Sequence, residues 1–185
     1  MWAVYRRDVQ KIKDMKKLIY TVIVFFISKA AYLQNDIFDI AKKGTVAMFI
    51  RTIKGNADLV NQTNKEGITP LMLACHKGNN EVASYLISIV DNINTSSEMG
   101  TALIACATKG NNIIAKLLLE KKADPNIKDA CGNTALMYAV QFKNIELVKL
   151  LLDYNADKKQ RDGLGKTAFE YAAFLNNSAL VNLLK

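Results

Sequence analysis

Five residues near the C-terminus, Gly163-Leu164-Gly165-Lys166-Thr167, have the composition of a loop that cradles phosphate. Such a loop needs another glycine five positions before Gly165 and an apolar strand leading into it, because its backbone N–H groups must curl around the anion. Position 160 is Gln, and the run from Tyr154 to Gln160 is polar. The pentapeptide is therefore read as a turn. His76 is the only histidine, so neither an imidazole-rich metal cluster nor a histidine-based triad can be assembled within one chain. No metal and no cofactor is expected. Of the three cysteines, Cys75 and Cys106 fall on apolar helical positions and read as small hydrophobes, whereas Cys131 falls in a polar turn and should be exposed. Catalytic or redox use of Cys131 would require a neighbouring cation to favour the thiolate, and none stands beside it in sequence.

These residues must be positioned by elements, and the clearest run from Asp129 to Arg161. A polar turn enters a first apolar helical segment, a second such segment follows back to back, and Asn155-Ala156-Asp157 leads out. Each segment is only two or three turns long, and isolated helices of that length are marginal in water, so the unit needs neighbours. Thr134 is followed 33 residues later by Thr167 and preceded by Thr101 and Thr69, at 33 and a further 32 residues. Two positions after each threonine stand Leu71, Leu103, Leu136 and Phe169; five positions after stand Ala74, Cys106, Ala139 and Ala172. A period near 33 with constant internal order marks stacked helical pairs.

Thr69-Pro70-Leu71, Gly132-Asn133-Thr134-Ala135-Leu136 and Ala123-Asp124-Pro125-Asn126 resemble the signature segments of ankyrin repeats. The resemblance covers residues 35–185 and implies an all-α solenoid of about five helix-turn-helix units joined by β-turn-like loops. The units are 35–64, 65–96, 97–128, 129–161 and 162–185, the first degenerate. The family's Thr-Pro-Leu-His tetrapeptide has lost its histidine to Met72, Ile104, Met137 and Glu170. The hydrogen-bond network of that histidine is therefore expected to be missing, with lower stability per repeat and the same fold. Asn56, Lys122 and Asn155 occupy one repeat position that wants positive φ, which Asn tolerates better than Lys.

The formal charge is +8, but residues 1–30 hold seven Lys/Arg against two Asp. A nucleic-acid footprint should cluster on the folded domain, so no nucleic acid is expected. Residues 1–30 read instead as an extension and a signal peptide preceding the array as a hydrophobic helix. Lys16 and Lys17 lead into the apolar run Leu18 to Ile27, and Ser28 and Ala30 supply the small side chains of a cleavage site after Ala30. The run is too short for an ordinary membrane span. Met15 is the expected true start, and Arg6-Arg7 lies too far from the apolar run for a twin-arginine signal. An exported protein, periplasmic or secreted and bacterial, follows; an uncleaved membrane anchor and a buried first helix are the alternatives.

Ankyrin arrays bind through turn tips and the exposed ends of first helices, which line a concave groove. Carried over residue by residue, the resemblance selects Lys43, His76, Lys77, Lys109, Gln141, Phe142, Phe174 and Leu175 at helix ends. It selects Lys65, Glu66, Glu98, Met99, Cys131 and Leu164 at turn tips. The implied function is a non-enzymatic interaction module, monomeric, with an unidentified protein as partner; a membrane contact enters only if the N-terminal segment is retained. Phe142, Phe174 and Leu175 are expected to form an exposed apolar patch with Phe142 and Phe174 as anchors, Phe174 and Leu175 packing on each other being the alternative, and Lys43, Lys77 and Lys109 are expected to steer an acidic patch. N-terminal sequencing of the protein recovered from its own compartment should begin at Ala31; a mature chain still carrying Met15 would sink the cleavage expectation.

Overall fold

The threonine that opens each repeat explains where its first helix starts. Thr69, Thr101 and Thr134 are buried and Thr167 half-buried. Each hydroxyl accepts a hydrogen bond from the backbone N–H three residues on, at 3.2–3.4 Å (Met72, Ile104, Met137, Glu170). That removes one of the orphan donors of a helix N-terminus. Pro70 follows Thr69 at the first helical position, where no N–H is needed. The computed structural model describes residues 13, 15–24 and 37–185. In chain order the helices of the second part are α1 (37–43), α2 (Val46–Ile53), a 3-10 turn (Ala57–Asn61), α3 (Pro70–Lys77), α4 (Asn80–Ile89), α5 (Ala102–Lys109), α6 (Asn112–Glu120), α7 (Ala135–Gln141), α8 (Ile145–Asp153), α9 (Ala168–Phe174) and α10 (Ser178–Leu184). Among the described residues there is no strand beyond an isolated bridge between Ser97 and Gly100.

First helices pack on first helices (α3 on α5 on α7 on α9) and second on second (α4 on α6 on α8 on α10), giving two layers. The interface between layers is the core, with Phe49, Leu86, Leu103, Ile114, Leu118, Leu136, Leu147 and Leu151 fully buried. This is the quasi-one-dimensional stacking of a solenoid.

A second ladder joins the units. Asn79, Asn111, Asn144 and Asn177 cap α4, α6, α8 and α10, each accepting from the N–H three residues on. Three of them also reach out of their own unit. The amide of Asn79 donates to the carbonyl oxygens of Ala41 and Gly44 at 3.3 and 2.9 Å, that of Asn111 to Asn80 at 2.6 Å, and that of Asn144 to Asn112 at 2.7 Å. At the loop ends, Asn94 and Asn126 accept from the backbone N–H of Asp124 and Asp157 at 2.8 and 2.7 Å.

Two backbone expectations divide here. Lys122 has φ 65° and Asn155 φ 62°, both left-handed. Asn56 does not: at φ −161° it is extended and caps the 3-10 turn, because the first unit leaves through that turn and not through the loop of later units. Lys143 was not anticipated. It holds φ 56° where Gly78 and Gly110 end α3 and α5. Phe169 is also unlike its repeat equivalents Leu71, Leu103 and Leu136, being partly exposed on the last unit. At the position of the missing histidine two units close a reciprocal cap: the Met72 sulfur accepts from the N–H of Thr69 at 3.4 Å, and the carboxylate of Glu170 accepts from the N–H and hydroxyl of Thr167 at 2.6 and 3.0 Å.

The turn before α9 shows why the glycine-rich pentapeptide binds no phosphate through its N–H groups. One oxygen of the Asp162 carboxylate already accepts from the N–H of Leu164 and Lys166 at 2.9 and 2.8 Å, and the other accepts from the Tyr171 hydroxyl. Burial pushes the Asp162 carboxyl up, but these three donors and the Lys166 charge outweigh it and hold it below the ordinary range.

The N-terminal part, Met1–Asp36, is a separate compact unit from Ile37–Lys185. Residues 15–24 are helical, and Leu18, Ile19, Tyr20, Val22, Ile23 and Val24 are exposed. The cleavage site at Ser28 and Ala30, the Arg6-Arg7 pair and the start of the first repeat at Asn35 lie outside the described residues. No helix among the described residues is long and apolar enough to cross a membrane.

Lys143→Gly should stabilise the protein by about 1 kcal/mol, since a side chain at left-handed φ is strained by roughly that amount; an unchanged or lower midpoint in urea unfolding would refute the strain. The Asp162 contribution is fully present above its ordinary pKa of 3.8 and is lost as pH falls below it, because its folded-state value is depressed. Asp162→Asn should accordingly lower the thermal midpoint at neutral pH, with the difference from the parent shrinking in acid; a gap independent of pH would contradict this.

Candidate functional site

One face of the array carries the turn tips and the ends of the first helices. Consecutive turns are bonded to each other: the N–H of Ala130 donates to the Glu98 carbonyl at 3.0 Å and that of Gly163 to the Cys131 carbonyl at 2.8 Å. Close approach requires glycine there, since a Cβ on Gly132 would lie 2.7 Å from the Gly163 nitrogen. The entry turns span 64–68, 129–133 and 162–166, each closed by a backbone bond between its end residues. The third unit has a shorter turn, with Ser97 and Gly100 exchanging both backbone bonds at 3.1 and 2.9 Å.

A hollow of about 640 Å³ lies in this face. His76, Lys77 and Lys109 approach it from helix ends, Glu98, Met99 and Cys131 from turn tips, and Phe142 stands at one side. Its apolar lining comes from Ile68, Met72, Leu73, Ile104 and Ala105. A second hollow, about 520 Å³, adjoins it and shares Cys131 and Tyr138; Gln141 and Leu164 belong there. Lys43, Lys65, Glu66, Phe174 and Leu175 line neither.

Phe142 is held out by a relay of contacts. The Asp129 carboxylate accepts from the Tyr138 hydroxyl at 2.6 Å and, through its other oxygen, from the N–H groups of Cys131 and Asn133. Partial burial, then the Asp129 carboxylate, pushes the Tyr138 hydroxyl well above the ordinary tyrosine range. The Tyr138 ring stacks on Phe142, centroids 6.4 Å apart and planes 16° from parallel. Phe142 itself remains 59% exposed. The next unit repeats the motif: Tyr171 is bonded to Asp162, which together with burial pushes its hydroxyl up to about 12. Phe174 is 80% exposed, with the Lys166 ammonium 5.8 Å from its ring.

Leu175 is a correction. The expectation puts it beside Phe174 in an exposed apolar patch, but it is half-buried and packs on the core. Packing the leucine side chain on the core removes its apolar area from water. Gln141 and His76 are also half-buried, the former 3.5 Å from Asn133.

The electrostatics are one-sided. Lys77 and Lys109 make no ion pair among the described residues. Partial burial, then the charges of Lys109 and Lys77, lowers the His76 pKa. Cys75 and Cys106 are buried, and the hydrogen bond of the neutral Cys106 thiol with Cys75, together with burial, pushes that thiol up, so it is poorly suited to act as a thiolate. Cys131 is exposed. No group of His, Cys, Asp and Glu among the described residues could hold a metal ion. The Tyr138–Asp129 and Tyr171–Asp162 pairs were missed at the sequence level, although Asp and Tyr recur nine residues apart in both units.

The family model for ankyrin repeats (three copies) matches residues 37–129 and 114–185. An ankyrin repeat-containing protein of Treponema pallidum is 35% identical over 114 residues, covering 54% of this chain and 38% of that protein. The ankyrin repeat protein FPV014 of fowlpox virus is 33% identical over 114 residues, covering 60% of this chain and 26% of its own length. The mouse protein fem-1 homolog A-like is 40% identical over 77 residues, 41% of this chain and 12% of that one. The chain thus spans well under half the length of these relatives, and the likeness lies in the repeats. With paired helices stacked in two layers, threonine-capped entries and a model match over most of its length, the chain belongs to the ankyrin repeat family.

Proposed function

We propose that the protein is a non-enzymatic interaction module that binds a partner protein through the concave groove. The carrying observation is the pairing of an apolar hollow of about 640 Å³ with a solvent-exposed aromatic whose position is set by Tyr138 and Asp129. An exposed Phe142 on a rigid base can bury its full area on association with little loss of side-chain freedom, which is how aromatic anchors dominate interfaces. Lys77 and Lys109 line the same hollow with no ion pair among the described residues, and Lys43 is exposed on α1, a distribution that steers an acidic partner. Phe174 extends the surface on the last unit. The ankyrin relatives support the general class, since such repeats serve as protein-interaction modules, and they leave the partner open. The reading takes the protein as a monomer that needs neither nucleic acid nor metal.

Export belongs to the same proposal. Lys16 and Lys17 in the first turn of the helix at 15–24, ahead of its apolar residues from Leu18 on, fit a signal segment. The exposed apolar side chains of that helix also favour a second reading, in which the segment is retained and the array works as an adaptor at a membrane surface.

The test is an affinity capture from the protein's own compartment, comparing the parent with Phe142→Ala plus Phe174→Ala. Loss of an anchor should weaken capture about tenfold or more. Equal recovery of the same partner by both forms would rule out the groove; recovery only in the membrane pellet, abolished by removing residues 1–30, would favour the second reading.

A further inference from the structure

The floor of the groove is interrupted at one position. Four residues after the opening threonine stand Leu73, Ala105, Tyr138 and Tyr171 in successive units. The third unit therefore offers a methyl group where its neighbours offer an isobutyl group or a phenol ring. The hollow lies over this gap, walled by Met72 and Leu73 on one side and by Tyr138 and Phe142 on the other. Ile104, fully buried beneath, keeps it apolar. Apolar side chains exclude water from such a recess only weakly when it stands open, and filling it removes their area from solvent.

The charges around the hollow are arranged to match. Three basic groups come from neighbouring helix ends, His76 and Lys77 from α3 and Lys109 from α5. Lys42 of α1 also reaches the rim, but Asp39 holds it at 3.1 Å. The facing turns contribute Glu98, Asp129 and Cys131, and Asp129 is already bonded to Tyr138. Lys77 and Lys109 have no carboxylate partner among the described residues, and partial burial, then the charges of Lys109 and Lys77, disfavours protonation of His76. Like charges held together beside an apolar recess favour a ligand that brings both an anion and a hydrophobic group.

We propose that the hollow takes an acidic segment of the partner protein, with one apolar side chain seated over Ala105 and a flanking carboxylate among His76, Lys77 and Lys109. This rests on the groove reading above and sharpens it to one unit of the array. A carboxylate placed there lifts the penalty on imidazolium, so His76 takes up a proton on binding and affinity rises as pH falls through the histidine range. A small anion would satisfy the cations and leave the apolar recess empty, which separates a segment from an adventitious phosphate.

Fluorescence anisotropy with labelled, acetylated and amidated heptapeptides tests this on the full chain. The probe has a central leucine with three glutamates on each side; controls replace the leucine by alanine, or the glutamates by glutamine or by lysine. The leucine–glutamate peptide should bind saturably, and each control should bind at least about tenfold more weakly, the scale of one lost buried side chain or charge cluster. Ala105→Tyr copies the residue of the next two units, so it keeps the fold while filling the recess. It should reduce the leucine peptide to the level of the alanine peptide. Lys77→Gln with Lys109→Gln should reduce the glutamate peptide to the level of the glutamine peptide. Tightening between about pH 8 and pH 6 should vanish in His76→Gln.

Equal binding of the leucine and alanine peptides, or an unchanged affinity in Ala105→Tyr, overturns the seat over Ala105. Equal binding of the glutamate and glutamine peptides overturns the acidic partner, as does full displacement by inorganic phosphate. Absence of any saturable binding overturns the proposal as a whole. The groove reading is judged separately by the Phe142 and Phe174 capture, so a groove that binds a different class of segment would show as failure here with success there.

Discussion

Short helices that cannot bury their own apolar faces must be held in register by their neighbours, and here asparagine does much of the holding. Asn79, Asn111 and Asn144 each close the N-terminus of a second helix with the carbonyl end of the amide and reach the preceding or an adjoining unit with the nitrogen end. A single side chain thus couples a local requirement, the capping of orphan N–H groups, to a long-range one, the spacing between units. Net hydrogen-bond energies are only about 0.5–1.5 kcal/mol each, so the bonds specify register more than they supply stability. The stability comes from the aliphatic interface between the two layers.

Once register is set, the concave face inherits its properties from what varies at fixed positions. The bonded turns place Asp129 and Asp162 where each can hold a tyrosine nine residues later. The first of these tyrosines carries Phe142 as an exposed stacked ring. In the third unit the same position is Ala105, and the groove is open. Scaffold and proposed recognition surface are therefore the same repeat seen at constant and divergent positions of one chain. The departure from the family's histidine does not unmake the entry: Glu170 takes over the backbone contact in the last unit, while the threonine cap persists in all four.

Much of this was legible in the residues. The 32–33-residue spacing of Thr69, Thr101, Thr134 and Thr167, with Gly78 and Gly110 ending helices, located the first helices closely, because caps and left-handed stops are local chemistry. The burial of Cys75 and Cys106 followed from helical facing, and the exposure of Cys131 from its place in a polar turn. Asn56 failed because the first unit leaves through a 3-10 turn, a choice made by the whole loop and not by one side chain. Lys143 was overlooked because lysine carries no signal for positive φ; its conformation is imposed by the repeat around it.

The sequence by itself determined the class of the fold and the order of its units, since period, caps and apolar spacing are properties of neighbours along the chain. It also places lysines at the first-helix ends of the earlier units and apolar residues at those of the later ones. Only the tertiary structure decided which of those groups share one surface. Lys77, Lys109 and Phe142 border a single hollow, whereas Leu175, one residue from an exposed Phe174, folds back into the core. Whether a side chain at a helix end faces solvent or core depends on what the adjacent unit places beneath it. That neighbour is about 33 residues away in sequence and a side chain's length away in space.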